Sequence, residues 1–354
     1  MLIDKYLMKA RMSKSSDVHI TVGRPPMMRL NGTIVPIMEG EAPYTPEQTA
    51  AMCVEIIPAR LRQEFEELGE VDFAYQVEGY GRFRVNIFHQ KGRVSGVLRL
   101  LNDKIASFEE LGLPRQLKKF TTLKKGLVLI TGPTGSGKST TLATIIDAIN
   151  KTRYEHIITL EDPIEYVHEH NYSLVNQREV GQDTMSFANG LRASLREDPD
   201  VILVGEMRDP ETIAAAVTAA ETGHLVFSTL HTIGASTTIN RIIDVFEPHQ
   251  QGQVRTQLAS VIEGVVTQRL VPNTTNTGRI AAFEIMFGSD GIRNMIRENK
   301  AYQIPSVLQT SAAQGMITLD AYLARLVMDG RITRETAFTN CLDRDNLNKI
   351  LNPV

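Results

Sequence analysis

Apolar residues follow two different rhythms along this chain. Over residues 1–112 they come as short alternating runs broken by turn residues, with two helical stretches between them, which predicts a separate α/β domain. From residue 126 onward short apolar runs alternate with stretches that are apolar at helical spacing, the mark of a parallel sheet covered on both faces. In the first part a helix is predicted over 2–11, an extended segment over 18–22 and a hairpin over 27–36 around Asn31-Gly32, which supplies the positive φ of a type I′ turn. Thr45-Pro46-Glu47-Gln48 announces another helix. Thr45 caps it, Pro46 suits its first position and Gln48 completes a capping box, with Ala51, Val54 and Ile57 as its apolar residues. Strands follow over 71–77, 82–88 and 93–101. Alternation puts Phe83, Val85 and Ile87 on one face of the middle strand and Arg82, Arg84 and Asn86 on the other. Residues 113–125, with Pro114 and the pairs Lys118-Lys119 and Lys124-Lys125, read as a connector.

The second rhythm opens with a strand over 126–131 and a helix over 140–149. Between them stands Gly132-Pro133-Thr134-Gly135-Ser136-Gly137-Lys138-Ser139. It fits the phosphate-loop pattern G-x-x-x-x-G-K-[ST] at every fixed position, in the strand, loop, helix order that the pattern requires. The glycines let backbone N–H groups point inward, and the helix that continues at Thr140 adds partial positive charge at its N-terminus. Lys138 reaches the β and γ phosphates and the Ser139 hydroxyl binds Mg²⁺. The expected ligand is a nucleoside triphosphate.

Other chemistry gathers where the later strands end, since ligands of such sheets sit beyond the C-terminal strand ends. The strand over 156–160 runs into Glu161-Asp162-Pro163-Ile164-Glu165, which is either an acidic loop facing water or a set of carboxylates beside the phosphates. A strand over 200–205 delivers Glu206, and Gly205 stands where many phosphate-loop ATPases carry an Asp. Ser139 and Glu206 are therefore the candidate metal residues, Glu206 acting on the metal's water shell or on the attacking water. A helix over 186–197 and an Ala-rich one capped by Asp209-Pro210-Glu211 precede a strand over 225–229, which brings His231 to the same edge. There His231 is either a hydrogen-bonded core residue or a γ-phosphate contact. Arg84 likewise either decorates a solvated strand face or offers a guanidinium to an anionic partner. Further helices are predicted over 301–313 and 319–328.

Composition narrows the class. At 354 residues and 42% hydrophobic content the chain is globular and long enough for two or three domains. A net charge of −3 gives no global basic field, which argues against bulk attraction to nucleic acid or anionic lipid. Cys53 and Cys341, the only two cysteines, exclude a disulfide framework and a Cys₄ zinc site. No run approaches the ~18 apolar residues of a membrane span and the first residues lack a signal-peptide pattern, so a cytoplasmic protein is expected.

Together these motifs resemble the type II/type IV secretion and pilus ATPases, and the resemblance covers the whole chain. Residues 159–165 are similar to that family's aspartate box, with Glu165 in the place of its catalytic glutamate, and residues 223–232, which include His231, are similar to its histidine box. Arg84 and Arg99 lie where the family's N-terminal domain offers arginines to a nucleotide held elsewhere in a ring. The resemblance implies a PAS-like α/β domain over 1–112, the connector 113–125, a RecA-like P-loop ATPase core over 126–288 and a helical C-terminal subdomain over 289–354. Residues 291–298 resemble the motif AIRNLIRE of the retraction motors, with Gly291 for Ala and Met295 for Leu. That likeness, with the missing tetracysteine module and the short N-terminal domain, favours retraction over extension or type II secretion. The implied protein is a homohexamer that hydrolyses ATP with Mg²⁺ and withdraws pilin from the base of a type IV pilus. It would work at the inner face of the cytoplasmic membrane, peripheral at most, against an inner-membrane platform protein and without nucleic acid. A non-hydrolysing nucleotide switch and a nucleic-acid translocase of the same core remain the alternatives.

Overall fold

A computed structural model describes residues 1–101 and 104–352 and divides into two compact units. The first comprises Met1–Lys104 with Pro163–Val167, and the second Ile105–Asp162 with the chain from His168 onward.

In the first unit helix α1 (Asp4–Met12) leads into strands β1 (Asp17–Ile20), β2 (Met27–Leu30) and β3 (Thr33–Pro36). Helices α2 (Pro46–Glu55) and α3 (Arg62–Leu68) follow, then β4 (Glu70–Val77), β5 (Gly81–Gln90) and β6 (Arg93–Leu100). The strands form one antiparallel sheet in the order β3-β2-β1-β6-β5-β4. The β2–β3 turn has φ of 49° at Asn31 and 85° at Gly32, so both central residues are left-handed as a type I′ turn demands. Thr45 and Gln48 exchange the reciprocal bonds of a capping box. The buried residues of α2 are Thr49, Met52 and Cys53, while Ala51 and Val54 are exposed, so the helix is rotated from the face its sequence suggests. Flexible Met52 and small, apolar Cys53 fill the core, and Thr49 is accommodated because its hydroxyl bonds back to the Thr45 carbonyl. Phe83, Val85, Ile87 and Leu98 are fully buried on one face of the sheet, and the arginines of β5 stand on the other.

The second unit contains β7 (Gly126–Thr131), α4 (Lys138–Asn150), β8 (His156–Glu161), β9 (Leu174–Glu179), α5 (Phe187–Ser194) and β10 (Val201–Val204). It continues with α6 (Pro210–Glu221), β11 (Leu225–Leu230), α7 (Ala235–Asp244), α8 (Pro248–Val261), β12 (Ile262–Pro272) and β13 (Arg279–Phe287). The sheet order is β13-β12-β7-β11-β10-β8-β9, parallel except for the β12–β13 hairpin. Strands β7, β10 and β11 are buried throughout, as expected of a sheet covered on both faces. The stretch 113–125 packs as part of this unit: its 3-10 helix Arg115–Thr122 buries Leu117 and Phe120 completely in the main core.

Helices α9 (Asp290–Arg297) and α10 (Ile304–Thr310) also belong to that core through Ile292, Ile296, Ile304 and Leu308. Only α11 (Leu319–Met328), α12 (Arg334–Asn340) and α13 (Arg344–Leu351) enclose a smaller core, built on Leu319, Leu323 and Leu347 against Val271 and Ala282 of the hairpin. Glu284 fastens these helices to the sheet. It is buried and accepts hydrogen bonds from the N–H groups of Ala235, at the start of α7, and Leu319, at the start of α11. Burial pushes its carboxyl above the ordinary carboxylate range.

Candidate functional site

The phosphate loop joins the end of β7 to the start of α4. Gly132, Gly135 and Gly137 adopt φ of 140°, 75° and 89°, a sequence of positive values that only glycines supply without strain. Lys138 is buried, and its ammonium donates to the carbonyls of Gly132 at 2.9 Å and Pro133 at 3.2 Å. The charge is therefore folded over the loop and held there by its carbonyls. Ser139 and Thr140 lie in the first turn of α4, where the helix dipole favours an anion.

Strands β10 and β11 bring Glu206 and His231 to this edge. The backbone around Glu206 is locked to β11: Thr229 Oγ1 donates to the Gly205 carbonyl at 2.6 Å, and the Met207 N–H donates to the Thr229 carbonyl at 3.2 Å. His231 then stands between acid and loop, with Nε2 3.5 Å from Glu206 Oε2 and Nδ1 3.5 Å from Thr134 Oγ1. Both contacts are long for hydrogen bonds. Glu206 also accepts from Arg208 Nε at 2.8 Å, a partner that no motif along the chain signals. A cavity of about 360 Å³ opens here, lined by Glu206, Arg208, His231, Thr232 and Arg241 among others. Gly205 has a packing reason: a Cβ there would lie 3.2 Å from the Leu160 carbonyl oxygen and 3.5 Å from Glu161 Cα. Strands β10 and β8 thus run close at this point, and a side chain at 205 would need them to give by a few tenths of an ångström.

The acids at and beyond the end of β8 part company. Glu161 stays with the core unit, where its carboxylate accepts from Thr159 Oγ1 at 2.7 Å and Gln177 Nε2 at 3.1 Å. Glu165 is exposed between buried Ile164 and Tyr166 and groups with the first unit.

Arg84 and Arg99 also belong to the first unit. They are cross-strand partners on β5 and β6, and each has a carboxylate in its own sheet, Asp72 for Arg84 at 2.6 Å and Asp17 for Arg99 at 3.0 Å. Alternation alone places the arginines on one face. The acids that meet them depend on pairing across four strands, which no local pattern carries.

Oxygen donors at Ser139 and Glu206 suit a hard cation such as Mg²⁺, which keeps several of its waters and takes only one or two protein ligands beside phosphate.

Comparison with known proteins bears on the whole chain. The model of a family described as type II/IV secretion system protein matches residues 1–311. The type IV pilus retractation ATPase PilT of Pseudomonas aeruginosa is 49% identical over 323 residues, covering 91% of this chain and 93% of that one. A twitching motility protein of Neisseria gonorrhoeae is 48% identical, covering 88% of this chain and 83% of its own. Among solved structures, the pilus retraction motor PilT with bound ADP superposes with a TM-score of 0.90 at 48% identity, covering 98% of both chains.

Proposed function

This chain belongs to the type II/IV secretion system protein family, and on that premise we propose that it is the ATP-hydrolysing motor that powers retraction of a type IV pilus. The observation that carries the reading is His231 bridging Thr134 of the phosphate loop and Glu206, which sets an acid at the edge where a γ-phosphate is held. Near end-to-end likeness to a retraction ATPase supports the direction of force.

Phosphoryl transfer to water asks the protein mainly for positioning and charge balance. Lys138 and the N–H groups of the loop balance the phosphates. Mg²⁺, held through Ser139 and through waters near Glu206, would supply further positive charge against the phosphate oxygens. Glu206 and Glu165 orient and polarise the attacking water, and His231 holds Glu206 while contacting the γ-phosphate. Arg84 and Arg99, from a neighbouring subunit of a homohexamer, stabilise the charge that develops on transfer. Their place in the first unit, the exposed and exchangeable Asp72 partner of Arg84 and the exposure of the Arg99 side chain support such a role. The hexamer works against a platform protein in the inner membrane. No helix among the described residues is long and apolar enough to cross a membrane, so we place the motor at the cytoplasmic face, held there by its partner.

Phosphate release by the purified protein tests the enzymatic part. Steady ATP hydrolysis that does not respond to added DNA is expected. Binding without release would make the protein a nucleotide switch, and DNA-stimulated turnover would make it a translocase.

A further inference from the structure

Behind the phosphate loop lies a residue that none of the motifs contains. Strand β12 runs parallel to β7 until Thr267 meets Thr131, and the next residue, Gln268, sits beneath the loop itself, 3% exposed. Its amide is spent at both ends. Nε2 donates to the Ser136 carbonyl at 2.8 Å, and Oε1 accepts from Thr141 Oγ1, in the first turns of α4, at 2.7 Å. The two glycines that bound the loop, besides their positive φ, both lie against the same residue. A Cβ at Gly132 would run into the Gln268 carbonyl oxygen, and one at Gly137 would lie 2.8 Å from Gln268 Nε2.

We propose that Gln268 is a positioning residue for the phosphate loop, holding the Ser136 carbonyl outward so that the N–H groups of the following turn stay aimed at the nucleotide. A peptide unit has two poles, and tying the carbonyl of Ser136 to the β12 side fixes the N–H of Gly137 on the opposite side. The Thr141 bond fixes the start of α4 to the same amide, so loop and helix N-terminus move as one body. Gln268 is flanked by two more ties. Thr267 Oγ1 bonds Thr131 Oγ1 at 2.9 Å and accepts from the Gly234 N–H at 3.0 Å, while Arg269 Nη1 donates to the Asn340 carbonyl in α12 at 2.8 Å. Three consecutive residues of one strand thus reach the base of the loop, the loop, and the C-terminal helices.

This inference rests on the reading of 132–139 as a nucleotide site, and the experiment separates the two. ADP affinity and KM for ATP are measured for the full chain and for Gln268→Glu and Gln268→Met, alongside thermal unfolding without nucleotide. Gln268→Glu keeps the shape and the Thr141 contact but sets an acceptor against the Ser136 carbonyl, and Gln268→Met removes both bonds. Each is expected to weaken ADP binding and raise KM by about tenfold or more in the folded protein, with a smaller change in kcat. If the wild type fails to bind ADP, the nucleotide site itself is wrong. If the wild type binds and both variants bind within about twofold of it, the amide only supports the fold and the proposal is overturned, whatever happens to Tm. Should neither variant fold, Thr141→Val decides: freeing Oε1 is expected to raise KM about threefold or more, and an unchanged KM overturns the proposal.

Discussion

Arg84 and Arg99 stand directly opposite each other across β5 and β6, on the face of the sheet away from its core. Two guanidinium groups at such a distance repel, and the sheet balances them with Asp72 on one side and Asp17 on the other. Arg84 and Asp72 remain 44% and 42% exposed, so the pair is worth about 1 kcal/mol or less and is readily exchanged for a stronger anion. Asp17 is held more firmly: although burial alone would raise its carboxyl, its bonds to Ser16 and Arg99 keep it below the ordinary range.

Removal of Arg84 therefore separates two roles. As a surface residue Arg84→Ala should be nearly silent, whereas an arginine that reaches γ-phosphate in a neighbour should cost on the order of 10³ in turnover while ADP binding and Tm hold. Mixing Arg84→Ala with Lys138→Ala subunits should restore part of the activity, because some interfaces then pair an intact arginine with an intact loop. Turnover measured against mixing ratio checks this, and full activity of Arg84→Ala alone would exclude the shared site.

Glu206→Gln is expected to retain nucleotide and lose about 10²-fold or more in turnover, since the amide keeps the volume but not the charge facing His231 and the water. ADP titration beside phosphate release reads both quantities. A normal rate would make Glu206 a packing partner of Arg208.

Acid stability carries a separate signature at His168. The residue is buried, its Nδ1 has no hydrogen-bond partner among the described residues, and burial pushes the imidazole down to about 4 from an ordinary value of 6.5. Below pH 6.5 the unfolded chain takes up a proton that the folded chain refuses. Stability is thus unaffected above that pH and falls as pH drops towards 4, by about 3 kcal/mol at most from this group. Urea melts at pH 7.5 and 4.5 should show a smaller acid loss in His168→Gln than in the wild type, and equal losses would contradict the assignment.

The two arginines of residues 291–298 should behave differently. Arg293 donates to the carbonyls of Ala259 and Ser260 at the end of α8 and pairs with Glu263 at 2.5 Å, so Arg293→Ala removes three part-buried or exposed bonds and should lower stability by about 1–2 kcal/mol, read as a lower Tm. Arg297 is exposed, with no ion pair or hydrogen bond among the described residues. Arg297→Ala should leave Tm and ATP turnover unchanged and still impair pilus withdrawal. A loss of turnover in Arg297→Ala would tie this helix to the nucleotide site instead.

Which of these features the sequence disclosed follows from how local each one is. The hairpin at Asn31-Gly32, the capping box of Thr45 and Gln48 and the phosphate loop are written within a few consecutive residues, and all take the expected shape. Helix α2 was harder, because Ala51 and Met52 are both apolar and only the packing decides which one turns inward. Strands β12 and β13 carry buried Thr267, Gln268 and Glu284, polar residues whose burial is acceptable only because partners on α4, α7, α11 and the loop satisfy them. Such partners lie up to 136 positions away in the chain, between Thr131 and Thr267, and no window along the sequence contains both. Glu165 belongs to the same class, since its grouping with the first unit, between buried Ile164 and Tyr166, joins it to residues about 60 or more positions earlier in the chain.

Imaging pili on cells whose only copy of this chain carries Lys138→Ala tests the central claim most directly. The loop would keep its shape but lose the charge that answers the phosphates, so surplus fibres that extend and never shorten are predicted. Fibres that withdraw at the normal rate, or cells with no fibres at all, would contradict a motor whose ATP turnover drives retraction.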